Sequence, residues 1–309
     1  MAGPPASIDA DLAFTGGPGL GPLEGVSEPM MLDCGGRLLD LTVPRIMGII
    51  NVTPDSFSDG GDFFVPDAAL HQAERMIGDG ADIIDIGGES TRPGAEDVSD
   101  DEELRRVIPL VEAIVNRFPV IVSVDTSKPA VMRAAAAAGA GILNDVRALR
   151  APGALEAAGD AALPVCLMHM QGAPRTMQEN PRYDDVVADV RLFLEQRLAA
   201  CEASSIPRHR LLIDPGFGFG KTLTHNLQLL GGMNRLTDLG VPVLVGLSRK
   251  SMLGAITGRD VRDRVAASLI AAVLAVQRGA TIVRVHDVAE TADALGVLRA
   301  VAEQERCRC

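Results

Sequence analysis

The sequence predicts an α/β protein, a (β/α)8 TIM barrel with an N-terminal β-hairpin. Eight short apolar runs recur along the 309-residue chain, each followed by polar or charged residues, and stretches with helical periodicity separate them. The runs are continuously apolar, as in parallel strands that helices cover on the outside. A parallel barrel gathers its strand ends at one mouth, where the chemistry of such barrels occurs. The pattern therefore also predicts where the active site lies.

The N-terminal part of the chain precedes the barrel pattern. Residues 1–29 contain several Gly and Pro and no periodicity, which predicts a disordered leader. Residues 31–40 read as a hairpin around Gly35 and Gly36, which in a barrel would close the bottom opening. We expect one barrel domain over residues 30–303 and a frayed tail over 304–309.

Strand and helix signals alternate from Pro44 to the end of the barrel. The predicted strands are 46–50, 83–86, 120–124, 141–143, 165–168, 211–213, 243–246 and 282–283. The predicted helices are 67–79, 101–117, 128–138, 153–161, 184–203, 223–239, 260–278 and 288–303. The loops 52–66, 88–100 and 169–182 exceed the usual length and all follow strands, so we interpret them as candidate lids.

Composition excludes several classes of protein. The 41 acidic residues outnumber the 29 basic ones, and the net charge of −12 argues against a nucleic-acid partner. No apolar run reaches the length of a membrane span, and the first residues lack the basic and apolar regions of a signal peptide. Five cysteines, an odd number without zinc-like spacing, favour a reduced cytoplasmic compartment.

Two acids and an amide end neighbouring predicted strands. Asp125, Asn144 and Asp214 follow the third, fourth and sixth strands, so we expect all three at the barrel mouth. Such a set suits a planar heterocycle with several N–H donors and a carbonyl group. As alternatives, Asp125 caps the next helix and Asn144 satisfies a loop backbone.

A basic cluster follows the last two strands, which is the recurrent phosphate site of these barrels. Ser248, Arg249 and Lys250 follow the seventh strand, and Arg284 and His286 follow the eighth. Arginine makes fork-like contacts to phosphate oxygens, and lysine adds a point charge. The alternative is ion pairing of these cations with nearby acids at positions 145 and 287.

Three further residues are expected at the same mouth. Asn51 ends the first strand, and its amide oxygen is a suitable Mg²⁺ ligand unless it only shapes the turn before Pro54. The glycine-rich run 214–221 lacks the Walker spacing, but it lets the backbone approach a ligand closely. Phe219 within it and Met168 at the end of the fifth strand either line a flat-ring pocket or are core residues.

Taken together, these motifs resemble those of the dihydropteroate synthase family, in order and on the expected strands, over residues 45–300. The motifs that carry the resemblance are 47–61, 88–95, 123–126, 144–145, 168–172, 214–221, 246–251 and 284–287. The resemblance implies a transferase of folate synthesis and a sulfonamide target. Such an enzyme joins 4-aminobenzoate to 6-hydroxymethyl-7,8-dihydropterin diphosphate with Mg²⁺, and releases diphosphate and 7,8-dihydropteroate.

The resemblance also assigns roles to matching residues of this chain. The pterin is expected to contact Asp125, Asn144, Met168, Asp214, Phe219 and Lys250. The diphosphate is expected to bind to Arg284, His286 and Asn51, the last also being the metal ligand. The 4-aminobenzoate pocket is expected to include Phe57, Thr91, Arg92, Pro93 and Ser248. Catalysis is expected to depend on Asp125, Lys250, Arg284 and His286.

Two other functions fit a chain with this fold. A pterin-binding methyltransferase would not need the diphosphate cluster, and a non-catalytic paralogue should have lost lid or phosphate residues. This chain keeps both sets, which favours the synthase. The resemblance further implies a homodimer, in which the Ala- and Val-rich faces of helices 260–278 and 288–303 would pack against a second copy.

Overall fold

The computed structural model describes residues 30–52, 65–90, 97–172 and 176–306. A two-stranded antiparallel hairpin comes first, with β1 at Met31–Asp33 and β2 at Leu38–Asp40. Eight parallel strands then form the barrel: β3 (Arg45–Asn51), β4 (Ile83–Gly87), β5 (Ile121–Asp125), β6 (Ile142–Asp145), β7 (Val165–Met168), β8 (Leu211–Asp214), β9 (Leu244–Val245) and β10 (Ile282–Val285). The predicted TIM barrel and its hairpin are confirmed.

The strands close into a ring in chain order. Each pairs in parallel with its neighbour from β3 to β8, and β10 lies between β3 and β9. An isolated parallel bridge between Ile213 and Val243 joins β8 to β9 and completes the circle. The carboxyl ends of all eight strands therefore face the same side of the barrel.

The hairpin fills the opposite opening. Leu32 and Leu39 lie opposite each other in the hairpin and are buried. They pack on a layer of apolar side chains from the first three residues of the barrel strands, including Ile83, Ile142 and Ile282. The predicted closure of the barrel bottom is thus confirmed.

Helices cover the outside of the ring. Their bounds are α1 Val65–Gly78, α2 Asp100–Arg117, α3 Pro129–Ala137, α4 Ala154–Ala161, α5 Val186–Ala203, α6 Leu223–Gly231, α7 Asn234–Thr237, α8 Ser251–Thr257, α9 Val265–Val276 and α10 Val288–Arg306. Caps explain several starts: Ser99 accepts a hydrogen bond from the Glu102 amide before α2, and Asp185 accepts from two amides before α5. No helix in the described ranges is long and apolar enough to cross a membrane.

The structure corrects three helix predictions. The predicted helix 223–239 is two helices, α6 and α7. The first helix ends at Gly231, with Gly232 as its C-cap, because helix propensity is low at these two glycines. The first residues of the predicted helix 260–278 form a 3-10 turn, Val261–Asp263, before α9. Short α8 was not predicted, and α10 ends at Arg306 rather than 303.

Candidate active site

A polar layer lies inside the barrel directly above its apolar floor. Side chains two residues apart on a strand face the same side, so Asp85, Asn144 and Arg284 lie one step above Ile83, Ile142 and Ile282. Asp85 and Asn144 are buried, and Arg284 is nearly so. The sequence therefore changes from apolar to polar between the floor and the mouth.

Arg284 is the centre of this layer. Its Nε donates to Asp85 Oδ2 at 2.6 Å, and its Nη2 donates to Asp125 Oδ2 at 3.1 Å. Asn144 Nδ2 donates to the same Asp85 oxygen at 3.3 Å. Burial alone would lower the pKa of the Arg284 guanidinium, but the two carboxylates outweigh it and hold that pKa above its ordinary value. Arg284 is thus a fixed cation inside an acidic protein.

Asp125 and Asn51 end strands on either side of Gly87. The three residues are aligned across β3, β4 and β5, and a Cβ added at Gly87 would lie 3.6 Å from Asn51 Oδ1 and 4.0 Å from Asp125 Oδ2. The amide and carboxylate oxygens therefore border one small space at the mouth. Burial raises the pKa of the Asp125 carboxyl to about 7, although Arg284 opposes the shift.

Asp214 and Lys250 lie on the other side of the mouth. Asp214 Oδ1 accepts a hydrogen bond from the Gly216 amide at 2.7 Å, and burial raises the pKa of its carboxyl. Lys250 Nζ lies 4.2 Å from the centre of the Phe219 ring, a cation–π contact. Burial lowers the pKa of the Lys250 ammonium to about 8. A carboxylate, an ammonium and an aromatic face thus line one pocket.

The glycine-rich segment after β8 packs tightly on the loop after β7. A Cβ at Gly216 would overlap the carbonyl oxygen of His169, and one at Gly220 would overlap that of Gln171. Lys221 Nζ, almost fully buried, donates to the carbonyls of Gly216 (2.8 Å) and Phe219 (3.1 Å) and lies 2.9 Å from His169 Nδ1. These contacts fix the segment that carries Phe219.

A small methionine-rich cluster lies beside that segment. Met168 is buried with Val146, Met170 and Met177, and Phe219 packs against them. Met168 and Phe219 therefore meet in one apolar wall, as expected for a surface that contacts a flat ring. The structure brings together these two residues, which the sequence left open between pocket and core.

The last two strand ends are joined by hydrogen bonds. Ser248 Oγ lies 2.9 Å from His286 Nδ1 and accepts from the His286 amide at 3.2 Å. Burial, with the nearby Arg284, lowers the pKa of the His286 imidazole to about 4. Arg249 forms a two-point ion pair with Asp287, which is the alternative that the sequence left open for this residue.

Several predicted residues fall outside the described ranges. Residue Phe57 falls in the stretch of sequence between β3 and α1, and Thr91, Arg92 and Pro93 fall in the stretch between β4 and α2. Their placement in the aminobenzoate pocket therefore stays a prediction. Asp145, considered as an ion-pair partner of the basic cluster, is the last residue of β6. Its carboxylate accepts hydrogen bonds from the Ser127 hydroxyl and from the amides at 147 and 149, so it holds the following loop instead.

The sequence analysis missed Asp85. The residue lies inside an apolar strand rather than at its end, and a rule based on strand ends does not select it. Its charge within a fully buried strand was the available signal, because an ionised side chain is almost never fully buried without a partner. That partner is Arg284, 199 positions later in the chain.

Metal ligands are few at this mouth. In the parts of the chain that the structure describes, no group of three or more His, Cys, Asp or Glu side chains could hold a metal ion. An Mg²⁺ site with one protein oxygen, the remaining ligands being water and substrate phosphate, still fits Asn51 beside Asp125. The mouth thus offers hydrogen-bonding acids and an amide, an aromatic wall, and cations for an anionic group.

Comparison with known proteins matches the whole barrel. The family model described as pterin binding enzyme matches residues 47–286. The dihydropteroate synthase of Haemophilus influenzae is 56% identical over 273 residues, which cover 88% of this chain and 99% of the relative. All the predicted site residues, from Asn51 to His286, therefore lie inside the region that the family model matches.

Solved structures give the same result. The dihydropteroate synthase of Xanthomonas albilineans with 4-aminobenzoic acid is 57% identical, with a TM-score of 0.85, and the match covers 89% of this chain and 99% of that one. The Yersinia pestis enzyme in a sulfonamide drug complex is 53% identical, with a TM-score of 0.85, covering 88% of this chain and 99% of that one. Both sequence and fold are shared over the full barrel.

Proposed function

The chain belongs to the pterin-binding enzyme family and, within it, to the dihydropteroate synthases, and on that premise we propose how its mouth performs the reaction. The enzyme joins 4-aminobenzoate to 6-hydroxymethyl-7,8-dihydropterin diphosphate and releases diphosphate and 7,8-dihydropteroate. The observation that carries the assignment is the convergence of Asp125, Asn144, Asp214, Lys250 and Arg284 at one end of the barrel.

The pterin would lie between the two sides of the mouth. Asp214 and Asn144 would accept and donate hydrogen bonds at the edge of the ring, and Lys250 would donate to its carbonyl side. Met168 and Phe219 would contact the ring face through the apolar wall described above. Buried polar groups discriminate strongly, because a ligand that leaves them unpaired loses the energy of those contacts.

The diphosphate would occupy the side of the mouth that carries Arg284 and His286. The Arg284 fork is held by two carboxylates and suits phosphate oxygens. A bound anion beside His286 would oppose the burial that keeps its imidazole neutral. Asn51 would hold Mg²⁺ against the diphosphate, and the ion when bound neutralises charge on the leaving group.

The chemical step is a substitution at the methylene carbon of the pterin. The C–O bond to diphosphate breaks, and both electrons leave with oxygen. The arylamine nitrogen forms the new C–N bond and then loses one proton to solvent. Arg284 stabilises the departing anion, and the Asp125 carboxylate stabilises the positive charge that develops on the methylene.

The aminobenzoate would bind next to the diphosphate site. Ser248 is hydrogen-bonded to His286, which is part of the proposed diphosphate site, and would contact the carboxylate of 4-aminobenzoate. Phe57, Thr91, Arg92 and Pro93 would complete the pocket from the two long loops. We propose that sulfonamides compete for the same pocket, as analogues of 4-aminobenzoate.

The assay that tests the function is diphosphate release from the pterin diphosphate with Mg²⁺, in the presence and absence of 4-aminobenzoate. Release coupled to dihydropteroate formation and abolished by Asp214→Ala or Arg284→Ala is expected. Leu192→Ala, a change of an exposed residue on α5, is the control and should leave turnover unchanged. Pterin binding without turnover would instead support the non-catalytic alternative, and methyl transfer without diphosphate release would support the methyltransferase.

We also propose that the protein is a cytoplasmic homodimer. The described cysteines Cys34, Cys166 and Cys201 are all free and buried, which suits a reducing compartment. Ile270 on α9 and Val297 on α10 are 63% and 68% exposed, so two adjacent helices carry exposed apolar side chains that a second copy would cover. A monomeric mass by light scattering at micromolar concentration would contradict the dimer.

A further inference from the structure

Asp85 is a fully buried carboxylate in the middle of β4. Its Oδ2 accepts from Arg284 Nε at 2.6 Å and from Asn144 Nδ2 at 3.3 Å. A single oxygen atom thus contacts the guanidinium that is proposed to bind diphosphate and the amide that is proposed to bind the pterin. These two groups serve opposite ends of one substrate.

The second carboxylate oxygen of Asp85 lacks such contacts. Asp85 Oδ1 is buried without a hydrogen-bond partner among the described residues, and so is the hydroxyl of Ser123. The two residues are register partners across β4 and β5, so both unsatisfied atoms lie in the same layer. Unsatisfied buried groups are destabilising and rare in native structures, and they call for a specific explanation.

Folding stability does not explain this arrangement. Replacing a buried ion pair by apolar residues of similar size is commonly neutral or stabilising, so an ion pair with an unsatisfied oxygen is a poor device for holding a barrel together. The geometry suits a positioning device better. Asp85 engages Nε of Arg284 and Asp125 engages Nη2, which fixes the plane of the guanidinium and leaves Nη1 as the nitrogen that contacts neither carboxylate.

We propose that Asp85 is a positioning residue for the synthase reaction, which aligns Arg284 for the diphosphate and Asn144 for the pterin through one shared oxygen. The inference rests on the proposed function. It predicts that loss of the Asp85 charge weakens binding at both ends of the pterin diphosphate and does not affect the KM of the second substrate, because Ser248, the described residue of its proposed pocket, contacts His286 rather than Asp85.

The first test is Asp85→Asn, which keeps the size of the side chain and removes its charge. We expect kcat/KM for the pterin diphosphate to fall by about 10- to 100-fold, since small displacements of aligned groups have effects of this order. The KM for 4-aminobenzoate should stay the same. The matched control is Asp82→Asn, which removes an ion pair with Arg45 directly before the same strand, on the side away from the mouth, and should change neither parameter.

The second test asks whether Asp85 acts through Arg284. Calorimetry would give the Kd of inorganic diphosphate for the native chain, Asp85→Asn, Arg284→Ala and the double variant. We expect Asp85→Asn to weaken diphosphate binding in the native background and to have no further effect beside Arg284→Ala. A general effect on folding would instead give the same fold-loss in both backgrounds and would overturn the proposal.

The contact between Asp85 and Asn144 is tested by the same double-variant cycle, with Asn144→Ala in place of Arg284→Ala and with the Kd of 6-hydroxymethylpterin as the measurement. If Arg284→Ala does not fold, this second cycle alone tests the proposal. A native protein that binds neither pterin nor diphosphate would refute the proposed function itself. A native protein that turns over normally, with Asp85→Asn indistinguishable from Asp82→Asn, would refute only the positioning role.

Discussion

At the scale of single residues, the site depends on burial that moves two ionisations toward neutral pH. Burial raises the pKa of the Asp125 carboxyl to about 7 and lowers that of the Lys250 ammonium to about 8. The reaction needs the Asp125 carboxylate opposite the developing cation and the Lys250 ammonium against the pterin. Both charged forms coexist best in the narrow interval between the two pKa values.

We therefore predict a bell-shaped pH profile for kcat/KM of the pterin diphosphate. Activity should rise as pH increases through about 7, where Asp125 loses its proton, and fall above about 8, where Lys250 loses its own. Asp125→Asn should lower the maximum and remove the acidic limb, and Lys250→Arg should remove the alkaline limb. A limb that persists in the corresponding variant would belong to the substrate or to another group.

The residue scale also shows what a sequence can and cannot predict. The sequence predicted the site residues that lie at strand ends, namely Asp125, Asn144 and Asp214. A polar residue after an apolar run can be recognised locally, and parallel strands bring such residues together at one end of the barrel. The pairing of Arg249 with Asp287 was one of two open readings, because sequence gives charges but not their distances. Asp85 was missed because its role depends on a contact with β10 that only the closed barrel creates.

At the scale of elements, the glycine-rich segment after β8 has the tightest packing of the site. Gly216 has φ +67, and a Cβ there would overlap the His169 carbonyl oxygen. Gly240 has nearly the same backbone, φ +69, with open space around it. Both glycines have a left-handed backbone, but only Gly216 also lies close to a neighbouring carbonyl group. A comparison of the two therefore distinguishes the cost of backbone strain from the cost of steric overlap.

We predict that Gly216→Ala destabilises the protein by about 2–5 kcal/mol, the sum of backbone strain and overpacking. Gly240→Ala should cost only the backbone part, about 1–2 kcal/mol. Urea unfolding measures both, and pterin titration should show weaker binding for Gly216→Ala alone, because the segment carries Phe219. Equal losses of stability in the two variants would contradict the close approach.

Element boundaries explain other differences from the sequence prediction. Helical periodicity continues across Gly231 and Gly232, so the apolar pattern alone does not reveal the break between α6 and α7. Short α8 begins directly after the predicted basic cluster at 248–250 and was not predicted. Both errors concern elements of nine residues or fewer, for which periodicity is a weak signal.

At the scale of the whole molecule, the barrel has a closed apolar end and an open polar end. Leu39 of the hairpin is 5% exposed and packs on the floor layer, whereas the preceding Leu38 is 68% exposed. The floor and the site are separate layers of one barrel interior. Changes in the hairpin should therefore affect stability without affecting chemistry.

We predict that Leu39→Ala lowers the free energy of unfolding by about 2–5 kcal/mol, as expected for a cavity in a packed core. Leu38→Ala should change it by less than about 0.5 kcal/mol. The KM values of both substrates should be the same in the two variants and the native chain. A raised KM in Leu39→Ala at a temperature where the protein is folded would mean that floor and site are coupled.

Among the described residues, one isolated bridge joins β8 to β9 and closes the ring, which has a consequence for local opening of the barrel. Between Ile213 and Val243 the two strands share little of the hydrogen-bond ladder that joins the other neighbours, so amide protons of these two strands should exchange with solvent more readily than those of the other strand pairs. Asp214 ends the strand on one side of this junction, and Lys250 follows the strand on the other. A pterin that contacts both Asp214 and Lys250 would connect β8 and β9 at this junction. Pterin binding would therefore also slow the local opening of the barrel.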